Sequence, residues 1–360
     1  MGQRVLSIDI MRGMTIFFMI LVNNPGSWSH VYAPLLHAKW DGCTPTDLVF
    51  PFFMFIVGTS MAISFEKFTD NHKSWIQKSV KRGLLIILVG LLLNWFPFYN
   101  KNIAELRLYG VLQRIGLAYL VASVLVTWCK PKYIFGLIAI ILVSYPLILL
   151  SLGNSDLTLE GNLVRKIDLF LLGENHIYKG YGLPFDPEGL LSTLPSVGTI
   201  LLGFMAGIWM KTQKRERFIY DLLVYGLGII LVGILWHEWN IPINKPIWSS
   251  SYVLYAGGWA MIFWAFLYYI IDMLHFKKWA QLFGWFGVNP LACFVLSGIT
   301  AKLLMLIEVD DRSLSGLLYA DFFQLFFGDY FGSFMYAVAN IIFISIFAYY
   351  LHKRNIIIKL

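Results

Sequence analysis

The sequence predicts an all-α fold, a polytopic membrane protein whose residues 1–360 form a single transmembrane domain. Three observations predict it: 58% of the residues are apolar, only 14% are charged, and aromatic residues reach 17%. Ordinary soluble domains are about 45–50% apolar and about 25% charged. A chain of 360 residues cannot bury this much apolar surface in a soluble core, whereas a bilayer solvates it.

Apolar segments of about 17–25 residues with few charges mark the candidate transmembrane helices. Ten segments meet this description: 8–24, 46–65, 82–98, 109–128, 133–152, 194–210, 218–236, 250–272, 281–301 and 334–351. A weaker apolar stretch, 314–328, contains Asp321 and is expected to be interfacial or re-entrant. The first segment is similar to a signal peptide, but Asp9 and Arg12 interrupt it and no small-residue cleavage site follows, so we interpret it as a retained span.

The distribution of Lys and Arg predicts the orientation. With the N-terminus inside, the inward-facing segments hold most of the 28 Lys and Arg residues. Cytoplasmic loops carry such an excess, so both termini are predicted to be cytoplasmic. The net charge of +7 then lies against anionic lipid, and no nucleic-acid partner is needed to explain it. The outer segments 25–45, 153–193 and 302–333 are rich in aromatic and polar residues, which predicts structured outer loops.

Three cysteines, Cys43, Cys129 and Cys293, lie far apart in the chain, and the sequence contains neither a CxxC pair nor a Cys/His pair at metal-ligand spacing. Neither a disulfide framework nor a metal site is therefore expected.

Ionisable side chains inside predicted spans are costly to bury and are often functional. Asp9 and Arg12 are three residues apart, so they share one helix face near the inner end of the first span. They form either an intrahelical ion pair that anchors the helix end or part of a polar cleft. Asp47 and Arg114 lie at the outer starts of the second and fourth spans. Asp47 also suits a helix cap, where a carboxylate interacts favourably with the helix dipole.

His30 and His37 are the histidines of the first outer segment. A neutral imidazole near pH 7 can deprotonate an amine or hydroxyl, or attack a thioester itself. A loop histidine is more often an ordinary hydrogen-bonded surface residue, and chemistry alone does not choose between these interpretations.

Several motifs carry a resemblance to a known family. DIMRGMT begins at Asp9, HAKWDG at His37 and TDLVFPFF at Thr46. Three further blocks follow in order, and they begin at Gly110 (GVLQRIG), Asp186 (DPEGLLST) and Trp248 (WSSSYV). Together the blocks resemble the heparan-alpha-glucosaminide N-acetyltransferase family, transmembrane enzymes that acetylate terminal glucosamine.

This resemblance implies an acyltransferase that moves an acetyl group from cytoplasmic acetyl-coenzyme A to the amine of a glucosamine-type sugar on the outer side. Acetyl-coenzyme A is then the donor substrate, and no metal is involved. The resemblance places the active histidine at His37 and the family's asparagine at Asn23. It favours Arg82, and more weakly Lys81, as partners of the coenzyme A phosphates, although basic residues at this level also fit the inner positive charge.

The remaining expected roles concern the support of the histidine and the acceptor. Asp47 and Arg114 are expected to set the orientation of the histidine and the local field. Trp40, Trp248 and Glu188 are expected to contact the acceptor, although outer aromatics are also typical of interfacial belts.

The expected location is the bacterial inner (plasma) membrane, with the active site toward the periplasm. The chain as given shows neither the large luminal N-terminal region of the lysosomal members nor the span that follows it. The loop between Asn23 and His37 is also longer than in that family. A homodimer is compatible with the resemblance.

Two features of the function stay open at this level. His37 acts either as a general base in a one-step transfer or as an acyl acceptor in a two-step route. The alternative functions are an O-acyltransferase that acts on an envelope glycan and a small-solute transporter. Against the transporter, the sequence shows no inverted repeat and no matching pair of broken spans in two halves.

Overall fold

A computed structural model describes residues 5–99 and 102–358 and confirms the all-α class. The α-helices are α1 (Leu6–Asn23), α2 (Pro45–Phe65), α3 (His72–Trp95), α4 (Val111–Trp128), α5 (Pro131–Leu152), α6 (Leu163–Leu172), α7 (Leu190–Thr212), α8 (Arg215–Glu238), α9 (Ser250–Tyr268), α10 (Gln281–Val288), α11 (Pro290–Leu306), α12 (Leu314–Leu317), α13 (Leu325–Phe327) and α14 (Asp329–Lys353).

Shorter elements connect these helices. Two π-helical segments, Tyr269–Met273 and Leu318–Gln324, continue α9 and join α12 to α13. The 3-10 turns are Ala33–Leu35, Glu66–Phe68, Ile103–Glu105, Glu174–His176 and Lys278–Ala280. Strands β1 (Glu308–Val309) and β2 (Arg312–Ser313) form an antiparallel hairpin in which Glu308 pairs with Ser313.

Within the described residues, eight helices are long and apolar enough to cross a bilayer, and a bent helix pair raises the number to nine. These eight coincide with eight of the ten predicted spans. The predicted span 82–98 differs because it is the second half of α3, whose first half carries Lys73, Lys78 and Lys81. The predicted span 281–301 is broken, since α10 and α11 meet at 77°. The weaker stretch forms the shorter apolar helical segment Leu314–Phe327.

The break between α10 and α11 has a local cause. Pro290 opens α11 and lacks a backbone N–H, and the residue before a proline is pushed out of helical conformation. Asn289 accordingly has φ −128° and ψ 56°. Its side chain binds the segment that follows α14: Nδ2 donates to the Ile356 carbonyl at 2.8 Å, and the Ile358 N–H donates to Oδ1 at 2.8 Å.

The chain divides into two compact units. Unit 1 comprises residues 5–38, 44–53 and 267–358, and unit 2 comprises 39–43, 54–99 and 102–266. Helix α2 contributes its first turns to unit 1 and the rest to unit 2, and α9 ends at the start of unit 1's last segment.

In unit 1, helix α1 packs against α10, α11 and α14. Glycines allow α1 and α10 to approach closely: a Cβ on Gly13 would lie 1.7 Å from the Phe283 carbonyl oxygen, and one on Gly287 would lie 2.0 Å from that of Asp9. Small residues permit such contact between membrane helices. The Asp272 carboxylate accepts hydrogen bonds from the N–H groups of Leu6 and Ser7 and so caps α1.

In unit 2, helix α7 is the most deeply buried span and packs against α4, α5, α6 and α8. The second half of α2 approaches α7 in the same glycine-dependent way, since a Cβ on Gly203 would lie 1.9 Å from the Phe55 carbonyl oxygen. An apolar cluster around Tyr145, Phe185 and Ile247 fills the space where α5 and α6 meet the loops of this unit. Those loops carry most of the polar groups described below.

Candidate functional site

In unit 1, the segment that precedes α2 brings His37 into direct contact with Asp47. His37 Nδ1 and Asp47 Oδ1 are 2.6 Å apart. The Asp47 side chain is 2% exposed, whereas that of His37 is 45% exposed. With Nδ1 bonded to a buried carboxylate, Nε2 becomes the basic nitrogen of the neutral imidazole, the arrangement that a general base requires.

The same carboxylate caps helix α2, which explains its fixed position. Asp47 Oδ2 accepts hydrogen bonds from the N–H of Thr44 at 3.0 Å, the Thr44 hydroxyl at 3.1 Å and the N–H of Ala38 at 3.0 Å. Thr44 and Asp47 stand three residues apart at a helix start, as in a capping box. The capping role expected of Asp47 is therefore present, and the same carboxylate contacts His37.

Asn23 is the last residue of α1 and is exposed. At the opposite end of the same helix, Arg12 Nη1 lies 3.2 Å from Asp9 Oδ1 and donates to the Gly287 carbonyl at 3.1 Å. The intrahelical ion pair predicted from the three-residue spacing is thus present, and it also ties α1 to the break between α10 and α11.

Unit 2 holds a buried charge cluster in the loops between its helices. Arg107 donates to both oxygens of Asp186, from Nε at 2.8 Å and Nη2 at 2.7 Å, and Nη2 also bonds Glu188 Oε2 at 2.6 Å. The Asp186 side chain is fully buried and that of Glu188 is 11% exposed. Burial alone lowers the pKa of Arg107, but its bonds to Asp186 and Glu188 outweigh this and raise the pKa above its ordinary value.

Arg114 is fully buried at the start of α4, next to this cluster. Its Nη2 donates to the Ser192 hydroxyl and, at 3.4 Å, to the Gly189 carbonyl. Its guanidinium carbon lies 4.9 Å from the centre of the Trp248 ring, a distance typical of a cation–π contact. Trp248, expected at the acceptor, is 1% exposed and packs against Arg114, and its Nε1 donates to the Thr199 hydroxyl at 3.2 Å.

Asp168 in α6 is a further buried carboxylate of unit 2. The Leu190 N–H donates to Oδ1 at 3.0 Å, which joins α6 to the start of α7. Burial raises the pKa of Asp168 to about 7, and the charge of Asp186 adds to that effect, whereas the Leu190 N–H and the Tyr109 hydroxyl oppose it. Near neutral pH the Asp168 carboxyl is therefore a mixture of its protonated and ionised forms.

Trp40 lines an open groove of about 380 Å³ together with Asp41 and 157–160. Its Nε1 donates to the Leu157 carbonyl at 3.0 Å, and its ring packs edge-on against Phe185. The Asp41 carboxylate accepts from the buried Asn244 amide at 3.1 Å. The groove thus combines a fixed aromatic ring with exposed carboxylates, the chemistry that suits a polar ring-shaped ligand.

The predicted phosphate partners Arg82 and Lys81 lie in α3 and are exposed. The Arg82 guanidinium lies 5.4 Å from the Tyr119 ring centre. Of the predicted residues, His37 and Asp47 come together in unit 1, and Arg114 and Trp248 come together in unit 2.

Sequence reasoning did not assign roles to Arg107, Asp168 and Ser192. Asp186 and Ser192 both belong to the motif block DPEGLLST, and this block was the sequence signal that pointed to this part of the site. Arg107 stands outside these motif blocks, and its partner Asp186 lies 79 residues further along the chain.

Fold and site together define a class: a polytopic α-helical membrane protein with a histidine held by a buried carboxylate. Comparison with known proteins refines this class. A model described as heparan-alpha-glucosaminide N-acetyltransferase, catalytic, matches residues 4–235. The chain belongs to this family, as the sequence motifs predict.

Two curated relatives are heparan-alpha-glucosaminide N-acetyltransferases. The Mus musculus protein is 29% identical in an alignment of 335 positions, and the match covers 76% of this chain and 50% of the relative. The Homo sapiens protein is 28% identical in an alignment of 334 positions, and the match covers 75% of this chain and 49% of the relative. The chain therefore spans about half the length of these curated relatives.

Proposed function

We propose that the chain is a transmembrane N-acetyltransferase that moves an acetyl group from acetyl-coenzyme A to the amine of a glucosamine-type sugar. The contact between His37 and Asp47 carries the proposal, because acyl transfer to an amine needs a base that removes a proton as the new bond forms. Family membership supports the reaction class.

In the proposed one-step route, the acceptor amine attacks the thioester carbonyl and His37 Nε2 takes the amine proton. The C–N bond forms, the C–S bond breaks, and the proton passes from His37 to the leaving thiolate to give coenzyme A. Asp47 orients the ring through Nδ1 and stabilises the imidazolium that forms, as the carboxylate of a catalytic triad does. The Asn23 amide is our candidate for binding the acyl oxygen or the acceptor, and an oxyanion donor contributes roughly 3–4 kcal/mol.

In the two-step route, His37 Nε2 attacks the thioester itself, and the acetyl-imidazole then reacts with the amine. Incubation with labelled donor in the absence of acceptor separates the routes. Label retained on His37 supports the two-step route, and its absence on the time scale of turnover supports the one-step route.

We assign the donor phosphates to the exposed cations Arg82 and Lys81, and the acceptor to the groove at Trp40. A pyranose ring stacks on an indole face, and Asp41 and Glu160 offer acceptors to sugar hydroxyls or to an ammonium group. Trp40 and His37 belong to the same motif block, HAKWDG, which supports a role for Trp40 in the same reaction. Glu188 is our second candidate residue for binding the acceptor sugar, and its bond to Arg107 fixes its position.

The proposed orientation has both termini in the cytoplasm, in a bacterial inner membrane, with His37 on the periplasmic side. It rests on the inner excess of Lys and Arg. Cysteine-accessibility labelling at an exposed residue of the His37 loop, compared with one near Lys214, tests it in intact cells.

The test of function uses purified protein in detergent, radiolabelled acetyl-coenzyme A and a panel of amino sugars. Wild type should label glucosamine, His37→Ala should not, and His30→Ala, which changes the other histidine of the same loop, should remain active. Transfer to hydroxyl sugars alone would support an O-acyltransferase. Failure to bind the donor would favour a transporter, a class in which broken spans such as α10–α11 also occur.

A further inference from the structure

Unit 1 contains a second site at the end where α1 begins and α14 ends. A cavity of about 580 Å³ lies there, with walls from α1, α10 and the segment that follows α14. Its size falls within the range of roughly 300–1,000 Å³ that is typical of ligand pockets. The contact of Asn289 with Ile356 and Ile358 holds the last of these walls in place.

The lining is amphipathic. Ile10, Trp285, Val288, Leu351 and Ile356 form an apolar wall, whereas Lys277 and His352 bring basic groups and Gln281 and Asn355 bring amides. Asp9 also lines the cavity, but Arg12 lies 3.2 Å from its carboxylate and balances that charge. With Asp9 paired to Arg12, Lys277 is the charged lining group without a described ion pair, and it stands beside the apolar wall.

The surroundings of the cavity suit the membrane surface. Leu274, Phe276, Trp279 and Ile357 are each at least 40% exposed near its mouth, and exposed tryptophan and apolar residues at a helix end are typical of the interfacial region. Lys278, Lys353 and Arg354 add further exposed cations. Basic pockets between membrane helices bind the headgroups of anionic lipids.

We propose that this cavity binds one anionic glycerophospholipid. Its phosphate lies at Lys277 and His352, and its acyl chains follow the apolar wall past Trp285. The charge of the lining favours an anionic headgroup, and the apolar wall favours a lipid over a free phosphate or a nucleotide. The site is separate from His37, which lies at the other end of α1 in the sequence.

Native mass spectrometry in detergent tests the proposal, with phosphatidylglycerol compared with phosphatidylcholine. Wild type should retain one phosphatidylglycerol with at least a tenfold preference. The Lys277→Ala/His352→Gln variant should lose that preference. The matched control, Lys73→Ala/His72→Gln, changes the same two residue types at exposed positions of α3 that do not line the cavity, and it should stay within threefold of wild type.

A second measurement uses the unaltered protein. Phosphatidylglycerol with brominated acyl chains should quench a fluorescence component that is missing from Trp285→Phe, and unbrominated phosphatidylglycerol should restore it. Equal binding of both lipids would overturn the proposal, as would equal losses in both double variants. Displacement of the lipid by coenzyme A or inorganic phosphate at equal concentration would also overturn it and assign the cavity to a soluble anion.

Discussion

Replacement of Asp47 by asparagine should strongly reduce acetyl transfer without unfolding the protein. The bond to His37 is 2.6 Å long and its carboxylate is 2% exposed, so it belongs with the charge-assisted bonds, which contribute about 1.5–3 kcal/mol. Since 1.36 kcal/mol corresponds to a factor of ten in rate, the expected loss is about 10- to 150-fold. Asparagine can also present its NH₂ group to Nδ1, which moves the proton to Nε2 and places the loss at the upper end.

The assay measures the initial rate of label transfer from acetyl-coenzyme A to glucosamine in detergent. Because Asp47 also caps α2, Thr44→Ala is the control. It removes the hydroxyl bonds to Oδ2 and to the Leu36 carbonyl but keeps both atoms of the His37–Asp47 contact, so it should cost about 1 kcal/mol of stability and little activity. An Asp47→Asn rate within threefold of wild type, at matched thermal stability, would refute the role of the carboxylate.

Four further predictions concern other parts of the molecule. Burial raises the pKa of Asp168 to about 7, so the folded state holds this proton at higher pH than the unfolded chain. The free energy of unfolding should therefore fall by about 1.4 kcal/mol per pH unit as pH rises from about 4 to 7. Thermal melts of Asp168→Asn should lack this pH-dependent loss of stability. Gly13→Ala, whose new Cβ meets the Phe283 carbonyl, should lower the melting temperature, whereas Gly228→Ala, which meets nothing within 4 Å, should not. Arg107→Met leaves Asp186 buried without its cation and should cost about 3–5 kcal/mol, while the same change at the exposed Arg312, which pairs with Asp321, should cost less than about 1 kcal/mol; equal losses in denaturation would contradict this. Trp40→Ala should raise the acceptor KM with little change in the donor KM, and an unchanged acceptor KM in steady-state kinetics would remove Trp40 from the proposed groove.

Much of the fold could be predicted from the sequence, because a long apolar run with few charges is stable in few settings besides a bilayer. Eight helices coincide with predicted spans for that reason. The start of α3 was missed because its first half is charged, and a search for apolar segments leaves charged residues out. The break at Asn289 had one local signal, the following Pro290, but its angle depends on the distant segment at Ile356.

The candidate site was only partly predictable. His37 and Asp47 are ten residues apart, and motif resemblance drew attention to both, although their contact follows from how the loop folds before α2. The bond from Arg107 to Asp186 joins residues 79 positions apart, and one sequence gives no signal for such pairing. Trp248 was expected to contact the acceptor because of its residue type. Its burial against Arg114 depends on how α4 and α7 pack together, which one sequence does not show.

The packing of α1 has a consequence for the order in which the protein is assembled. Within unit 1, α1 packs against α10, α11 and α14, and these three helices are translated more than 250 residues after it. The first helix must therefore enter the bilayer before these surfaces exist. Asp9 and Arg12 would be costly as separate charges in lipid, but a pair three residues apart on one helix neutralises itself during insertion. The bond from Arg12 to the Gly287 carbonyl can form only later, once α10 has reached its place beside α1.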